Sequence, residues 1–302
     1  MRILVGVMHC IENELDACLA AIRGQTHQDH EMFLVQNLPN RKAHNTLYQT
    51  FMQRASEFDF FIKIDADMVL ARATFFEEVI DKMQYLPEAD NLQIAVHDYF
   101  TNQLIYGLHI FRSTVRWNVR SNERVFVDRI ELINKRVNDK TELAPAAYHC
   151  SNPSDFQAFH YGIHKGVKVI QRNNMFQKDY FSAYFHWNNI LRIEQHYLAT
   201  RDNRLALAYI GAYLAMVGKF SDKQVDYTNA LVKELFSRLQ SGDRDDIKRI
   251  FRYYQKKLHR YPPAFKVEYL LWQNSHQSYL MIKRAVTNLI KGKYKQQIKQ
   301  MQ

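Results

Sequence analysis

Asp65 and Asp67 stand one residue apart at the end of the apolar run "FFIKIDADMVL", residues 60–70. A carboxylate in such a place is costly unless a cation or several donors compensate it. Alternate residues of a strand share a face, so the two carboxylates are expected to open onto one space. Hard oxygen donors of this kind suit Mg²⁺ or Mn²⁺, which take a few protein carboxylates and complete their shell with phosphate oxygens and water. The chemistry to expect is a divalent ion bridging the chain to a diphosphate. Aspartate also caps helices and closes turns, and the competing reading makes one of the pair the cap of a helix beginning near Arg72. Lys63 is expected to point away from both aspartates and to stay outside the metal site.

The elements that must position this pair alternate over the first 112 residues. "RILVGVM", "MFLVQN" and "FDFFIKID" read as short apolar strands. Between the first two, Leu15, Cys18, Leu19 and Ile22 fall at i, i+3, i+4 and i+7, the face of a helix that Gly24 can end. Residues 41–56 read as a second helix, and Phe75, Phe76, Val79, Ile80 and Met83 line a third. "LQIAVHDYF" and "LIYGLHIF" follow as two more strands. Strands alternating with helices predict parallel pairing with right-handed crossovers, a Rossmann-like α/β sheet whose ligands bind off the carboxyl ends of the strands. Asp65 and Asp67 sit at such an end.

After Pro153 the pattern is helical almost throughout. Leu207, Ile210, Leu214 and Val217 make one stripe; Leu231, Leu235 and Leu239 a second; Ile247, Ile250, Phe251, Tyr254 and Leu258 a third; Ile282, Val286 and Leu289 a fourth. The expected organisation is a catalytic domain over residues 1–150 and an all-α region over 151–302.

The first half also resembles the GT-A fold of nucleotide-sugar glycosyltransferases, most like the large family 2 of inverting enzymes. The resemblance rests on a first strand leading into a helix that opens with acidic residues, "VGVMHCIENELDACL". It rests also on the "QT" turn of Gln25 and Thr26, on Gln36 and Asn37 ending the second strand, and on Ala43, His44 and Asn45 before the Asp-x-Asp strand. Downstream, "FVDRIELINKR" is similar to the segment that follows the family's acceptor-side Asp, with Leu132 and Arg136 beyond it. Met8 and His9 stand where the family has Pro and Thr, and Val127 where it has Glu. The resemblance implies a sugar moved from a nucleoside-diphosphate donor to a hydroxyl of a glycan or lipid-linked glycan acceptor, in the setting of bacterial surface polysaccharide synthesis. It implies donor contacts from His9, Glu12, Gln36, Asn37, Asn45 and Asp65, and a metal held by Asp65 and Asp67 with a later His, for which His149 in "APAAYHCSNPSDF" is the candidate. Asp128 is the matching general base; the alternative makes it an exposed partner of Arg124 or Arg129.

Charge divides along the chain. Residues 1–150 carry 16 Lys and Arg against 20 Asp and Glu, a balance of −4, and residues 151–302 carry 25 against 11, a balance of +14. A basic half implies either a solvated face or an anionic neighbour such as lipid headgroups, a phosphorylated or acidic glycan, or nucleic acid. The expectation here is a glycan or a membrane surface rather than nucleic acid. His160 and His164 share a helical face with Lys165 and Lys168 nearby, expected to be solvated rather than to flank acceptor phosphates, and the aromatic run over residues 179–199 is expected to be core. Cys10, Cys18 and Cys150 show no paired spacing, so buried thiols are expected rather than a disulfide or a zinc knuckle. With no export signal and no apolar run near the roughly 20 residues of a bilayer span, the expected location is the cytoplasm, with peripheral contact at the inner membrane face. Two rivals remain. A nucleotidyl- or phosphosugar transferase would want a Gly- and Lys-bearing loop after the first strand, which "MHCIENE" lacks, and a basic nucleic-acid-binding scaffold would not need the aspartates.

Overall fold

The computed structural model describes residues 1–118, 136–170, 180–220, 226–240 and 244–259. Asp128, Leu132, the stripe at Ile282, Val286 and Leu289, and the C-terminal tail lie outside them.

The chain begins β1 (Ile3–His9), α1 (Leu15–Arg23), β2 (His30–Gln36), α2 (Asn40–Gln53) and β3 (Phe60–Asp65). β1 pairs in parallel with both β2 and β3, the arrangement the alternation predicts. β4 (Met68–Leu70) and α3 (Phe75–Tyr85) lead into β5 (Asn91–Asp98) and β6 (Gln103–Arg112), and two short strands follow, β7 (Arg136–Asp139) and β8 (Ala147–His149). The strand order is β2-β1-β3-β6-β5-β8-β4, with β7 also paired to β5. This is a mixed α/β sheet, and the all-parallel expectation fails at β6, which runs antiparallel to both β3 and β5. The cause is the connection: only residues 99–102 separate β5 from β6, and a parallel crossover needs a dozen or more residues.

Side-chain alternation gives the sheet two apolar faces. Ile3, Val5 and Val7 join Phe60, Ile62 and Ile64 against α1 and α3. Leu4, Phe61 and Phe111 face α2, through Leu47, Tyr48 and Phe51. On that second face Gly6 lets α2 close down, because a Cβ there would overlap Leu47 and crowd Phe33 and Phe51. Towards the carboxyl ends the same face turns polar, with Lys63, Asp65 and His109.

Helices α4 (Asp155–Ile170), α5 (Tyr180–Thr200), α6 (Asn203–Val217), α7 (Ala230–Gln240) and α8 (Arg244–His259) share a separate core that includes Phe159, Ile163, Ile190, Tyr209 and Phe251. The expected stripes hold for Leu207 and Ile210 and for Phe251 and Leu258. On α7 Leu239 is buried and Leu235 packs against the core as expected, but Leu231 is exposed, and Val232 and Phe236 complete the buried face. From the aromatic run, Trp187, Ile190, Ile193 and Tyr197 are core, while Tyr184 and Phe185 face outward. No described helix is long and apolar enough to cross a membrane.

Two features tie the helices to the sheet. Ser154 and Gln157 exchange hydrogen bonds as a capping box at the start of α4. Gln157 also accepts from the Asn13 backbone and donates to Glu14, fixing the loop after β1. At the start of α6 Asp202 is the N-cap, accepts from the Arg204 guanidinium, and receives the Tyr99 hydroxyl at 2.6 Å from the β5–β6 loop. Burial raises the Asp202 pKa, but hydrogen bonds from Arg204 and Tyr99 outweigh it and bring it from 3.8 to about 2. Because the folded value is the lower, the stabilisation is complete above pH 3.8 and is lost as pH falls towards 2. Solvent screening at this partly exposed site keeps it to about 1 kcal/mol. Urea unfolding of wild type and Asp202→Asn should therefore differ at neutral pH and converge in acid.

α4 and α6 cross with their backbones in contact. A Cβ at Gly162 would collide with the Ala208 carbonyl, and one at Gly211 with the Phe159 carbonyl. Backbone cannot swing aside as a side chain can, so Gly162→Ala is expected to cost about 1–3 kcal/mol, read as a lower urea midpoint at unchanged slope.

Candidate metal centre

β3 ends at Asp65, and Asp67 lies on the tight turn that leads into β4. β4 pairs antiparallel with β8, placing Met68 opposite His149, and the Cys150 backbone N–H donates to the Asp67 carbonyl at 2.7 Å. This two-strand clamp brings three side chains together. His149 Nε2 lies 3.3 Å from Asp67 Oδ2, the Cys150 thiol donates to the same oxygen at 3.3 Å, and the three potential ligand atoms fall within 4.8 Å of one another.

The other carboxylate oxygen, Asp67 Oδ1, is buried and has no hydrogen-bond partner. An unpaired buried carboxylate oxygen costs free energy that a bound cation would recover. Behind the site, His149 Nδ1 is 2.7 Å from Oδ1 of Asp98, a fully buried residue at the end of β5. Asp98 Oδ2 accepts from the Thr101 N–H and hydroxyl and from the Tyr161 hydroxyl. With Nδ1 donating to Asp98, the Nε2 lone pair faces Asp67, the carboxylate–histidine arrangement that orients metal ligands.

The electrostatics agree with that geometry. Burial alone would lower the His149 pKa, yet the neighbouring Cys150 and Asp67 and the hydrogen bonds to Asp67 and Asp98 hold it well above its ordinary value. Asp67 and Asp98 are held below theirs, against burial, chiefly by His149. Burial and the Asp67 charge push Cys150 well up, so it is a thiol. The site demands positive charge, and without a cation a proton on His149 supplies it. Asp67 and His149 by themselves would suit Mn²⁺ better than Mg²⁺, which requires nearly all-oxygen coordination, whereas the Cys150 sulfur as a third ligand would favour a softer ion.

A scan against protein-family models and a search of curated proteins both find no match for this chain. Solved structures similar to it include two of distant sequence. One is A197 from STIV, at 14% identity over 43% of this chain and 69% of that one, with a TM-score of 0.30. The other is S. aureus TarS 1–349, at 10% identity over 85% of this chain and 92% of that one, with a TM-score of 0.35.

The three residues border a cleft of about 320 Å³ between the polar end of the sheet, α2 and α4. His9 and Glu12 line it, joined by a 3.0 Å contact, and Glu12 also accepts the Cys10 N–H. Asp65 lines it too, but its carboxylate is held at 3.0 Å by Lys63 Nζ. The expectation for Lys63 is thus corrected: Lys63 and Asp65 are alternate residues of β3 and share a face. Gln36 and Asn37 end β2 on the exposed rim, and Leu38, Pro39 and Asn40 line the cleft instead. From the segment before β3, Ala43 and His44 reach the cleft lining, whereas Asn45 does not. His160, His164, Lys165 and Lys168 form a cleft wall rather than a solvated face.

Sequence reasoning passed over Asp98 and Cys150 as parts of a site. Asp98 carried a signal, since it ends a buried strand just as Asp65 does; Cys150 carried only its adjacency to His149. A larger depression of about 690 Å³ lies at the start of α6. Its Asp202 and Arg204 are paired with each other, and it holds no comparable group of ligand atoms among the described residues.

Proposed function

We propose that this chain is a metal-dependent glycosyltransferase that moves a sugar from a nucleoside-diphosphate donor to a hydroxyl of a glycan acceptor, with Mn²⁺ the preferred ion. The observation that carries the reading is the unpartnered, buried Asp67 Oδ1 beside a His149 whose Nε2 is aimed at Asp67 by the contact of its Nδ1 with Asp98. Asp67 and His149 would hold the ion at the end of the sheet. When bound, the ion offsets the negative charge that grows on the departing diphosphate.

The chain's own groups divide the remaining work. Lys63 neutralises Asp65 in the cleft floor, so that Asp65 adds a hydrogen-bond acceptor towards the donor without adding net charge. Glu12, held by the Cys10 N–H and His9, lines the cleft as an acceptor for a sugar or ribose hydroxyl, and burial with the nearby Asp67 raises its pKa. Asp128 remains the proposed proton acceptor for the incoming hydroxyl.

The test is incubation with a panel of nucleotide sugars with Mn²⁺, Mg²⁺ or chelator, scoring release of nucleoside diphosphate. Release with Mn²⁺ that stops on chelation is the expected result. Absence of release from every donor, or release indifferent to chelator, would overturn the proposal.

A further inference from the structure

His149 is the last residue of β8 and Cys150 follows it, so regular strand alternation would send their side chains to opposite faces. The chain departs from that alternation at Cys150, whose φ of 53° lies in the left-handed region that a cysteine rarely adopts. The Cys150 N–H on the Asp67 carbonyl holds this conformation, and the sulfur swings into the space that His149 Nε2 faces. Glycine would take the same turn without strain, so what the cysteine adds at this position is its sulfur.

Three different ligand atoms result. His149 Nε2 is 3.3 Å from Asp67 Oδ2, Cys150 Sγ is 3.3 Å from the same oxygen, and Sγ and Nε2 are 3.6 Å apart. An ion held tetrahedrally at ordinary zinc distances sets edges of roughly 3.3 Å between N and O and roughly 3.6 Å from S to either. Two edges of the triangle have that length already, and the third is short by only about 0.3 Å. Cys150 is 3% exposed and Asp98 sits behind His149, so packing and hydrogen bonding hold sulfur and ring in place before any ion arrives. All three residues border the cleft, which leaves a fourth position for solvent or substrate. Hard ions gain little from the sulfur. Mg²⁺ and Mn²⁺ favour oxygen, whereas zinc-class ions accept thiolate, and for a given set of ligands Zn²⁺ binds more tightly than Mn²⁺.

The geometry points to a three-ligand site of Asp67, His149 and Cys150 for a zinc-class ion, which takes the Cys150 sulfur as thiolate and displaces Mn²⁺ at equal concentration. On binding, the thiol proton and the proton on His149 Nε2 leave to solvent, and the ion forms bonds to Sγ, to Nε2 and to Asp67 Oδ2. The inference rests on the ion site of the transferase reading and not on sugar transfer itself. The ion that serves transfer and the ion that binds most tightly are then different, and Zn²⁺ is expected to inhibit Mn²⁺-dependent release of nucleoside diphosphate.

The test is titration of chelator-treated full chain with Co²⁺, which reports a bound thiolate as a near-ultraviolet charge-transfer band. Wild type should develop that band to saturation at a single equivalent of ion; Zn²⁺ should abolish it, and an equal concentration of Mn²⁺ should not. Cys150→Ser should lose the band while keeping its Mn²⁺ affinity, and its Zn²⁺ affinity should fall by more than the roughly 10–100-fold that loss of an outer partner costs. Cys10→Ser, which changes another thiol of the cleft, should keep the band. No band in wild type, a band that survives in Cys150→Ser, or one removed by Cys10→Ser would overturn the proposal. Should circular dichroism show that Cys150→Ser does not fold, cadmium NMR of wild type decides. A resonance in the range of a single thiolate ligand supports the site, and one in the range of oxygen and nitrogen ligands alone overturns it. No nucleotide sugar enters these titrations, so the band can appear while donor hydrolysis is absent, and Mn²⁺-dependent hydrolysis can persist without the band.

Discussion

Asp67→Asn is expected to reduce Mn²⁺-dependent release of nucleoside diphosphate about 10²–10³-fold and to lower the stability of the metal-free protein modestly. The loss follows from removing a group aimed at developing charge in a site shielded from water, where single donors carry effects of that size. The stability result follows from the ion pair. In the metal-free chain the Asp67 carboxylate accepts from His149 and Cys150, which hold its pKa down against burial, and an amide gives up the charge that His149 meets. His149 would lose one of its two anionic neighbours, keeping Asp98, and with it part of the cause of its raised pKa. Denaturation with and without Mn²⁺ separates the two effects. At a hundred times the dissociation constant the ion should stabilise wild type by about 2.7 kcal/mol, and Asp67→Asn by almost nothing. If the variant responds to Mn²⁺ as wild type does, Asp67 is a structural residue and the metal centre is misassigned.

How far the site can be read from the sequence depends on which contacts hold each residue. β3 announces itself as a six-residue apolar strand, and the acids at its end are visible because carboxylates rarely follow such a run. What decides their roles is less visible. Asp65 and Asp67 look equivalent, yet β3 stops between them, so that Asp65 stays on the strand beside Lys63 and Asp67 turns towards β8. The deciding pairs, β4 with β8 and β8 with β5, involve strands of three residues, too short to carry a periodic signal. His149 and Asp98 are 51 positions apart, and nothing local to either foretells the other.

The helical half shows the same limit in another form. The i, i+4 spacing of His160 and His164 is plain in the sequence, and so is a face shared with two lysines. Whether that face meets water or a cleft depends on the glycines of α4 and on which helix they meet. Gly162, Gly166 and Gly211 are ordinary letters until α6 is known to cross there. Charge alone leaves a solvated face and a cleft wall equally open, and burial of Lys165 and His160 decides for the cleft wall.

Asp98→Asn tests the arrangement from behind, without touching any atom that would meet the ion. Oδ1 of Asp98 faces His149 Nδ1, and Oδ2 faces the Thr101 N–H, which can only donate. An asparagine cannot accept on both sides. If its carbonyl keeps Thr101, its NH₂ meets Nδ1, and the imidazole must carry its proton on Nε2, the nitrogen needed for the ion. If the carbonyl keeps His149 instead, the NH₂ confronts the Thr101 N–H in a fully buried position. Either choice penalises the metal-ready tautomer, and a loss of about 10–100-fold in Mn²⁺ affinity is expected. Nitrogen NMR of the His149 ring should report the shift of the proton from Nδ1 to Nε2 in the first case. In the second, a drop in the urea midpoint should accompany the weaker binding. A purely structural Asp98 would lower the midpoint and leave both the ring tautomer and the Mn²⁺ affinity as in wild type, and that outcome would remove the basis for treating His149 as an oriented ligand.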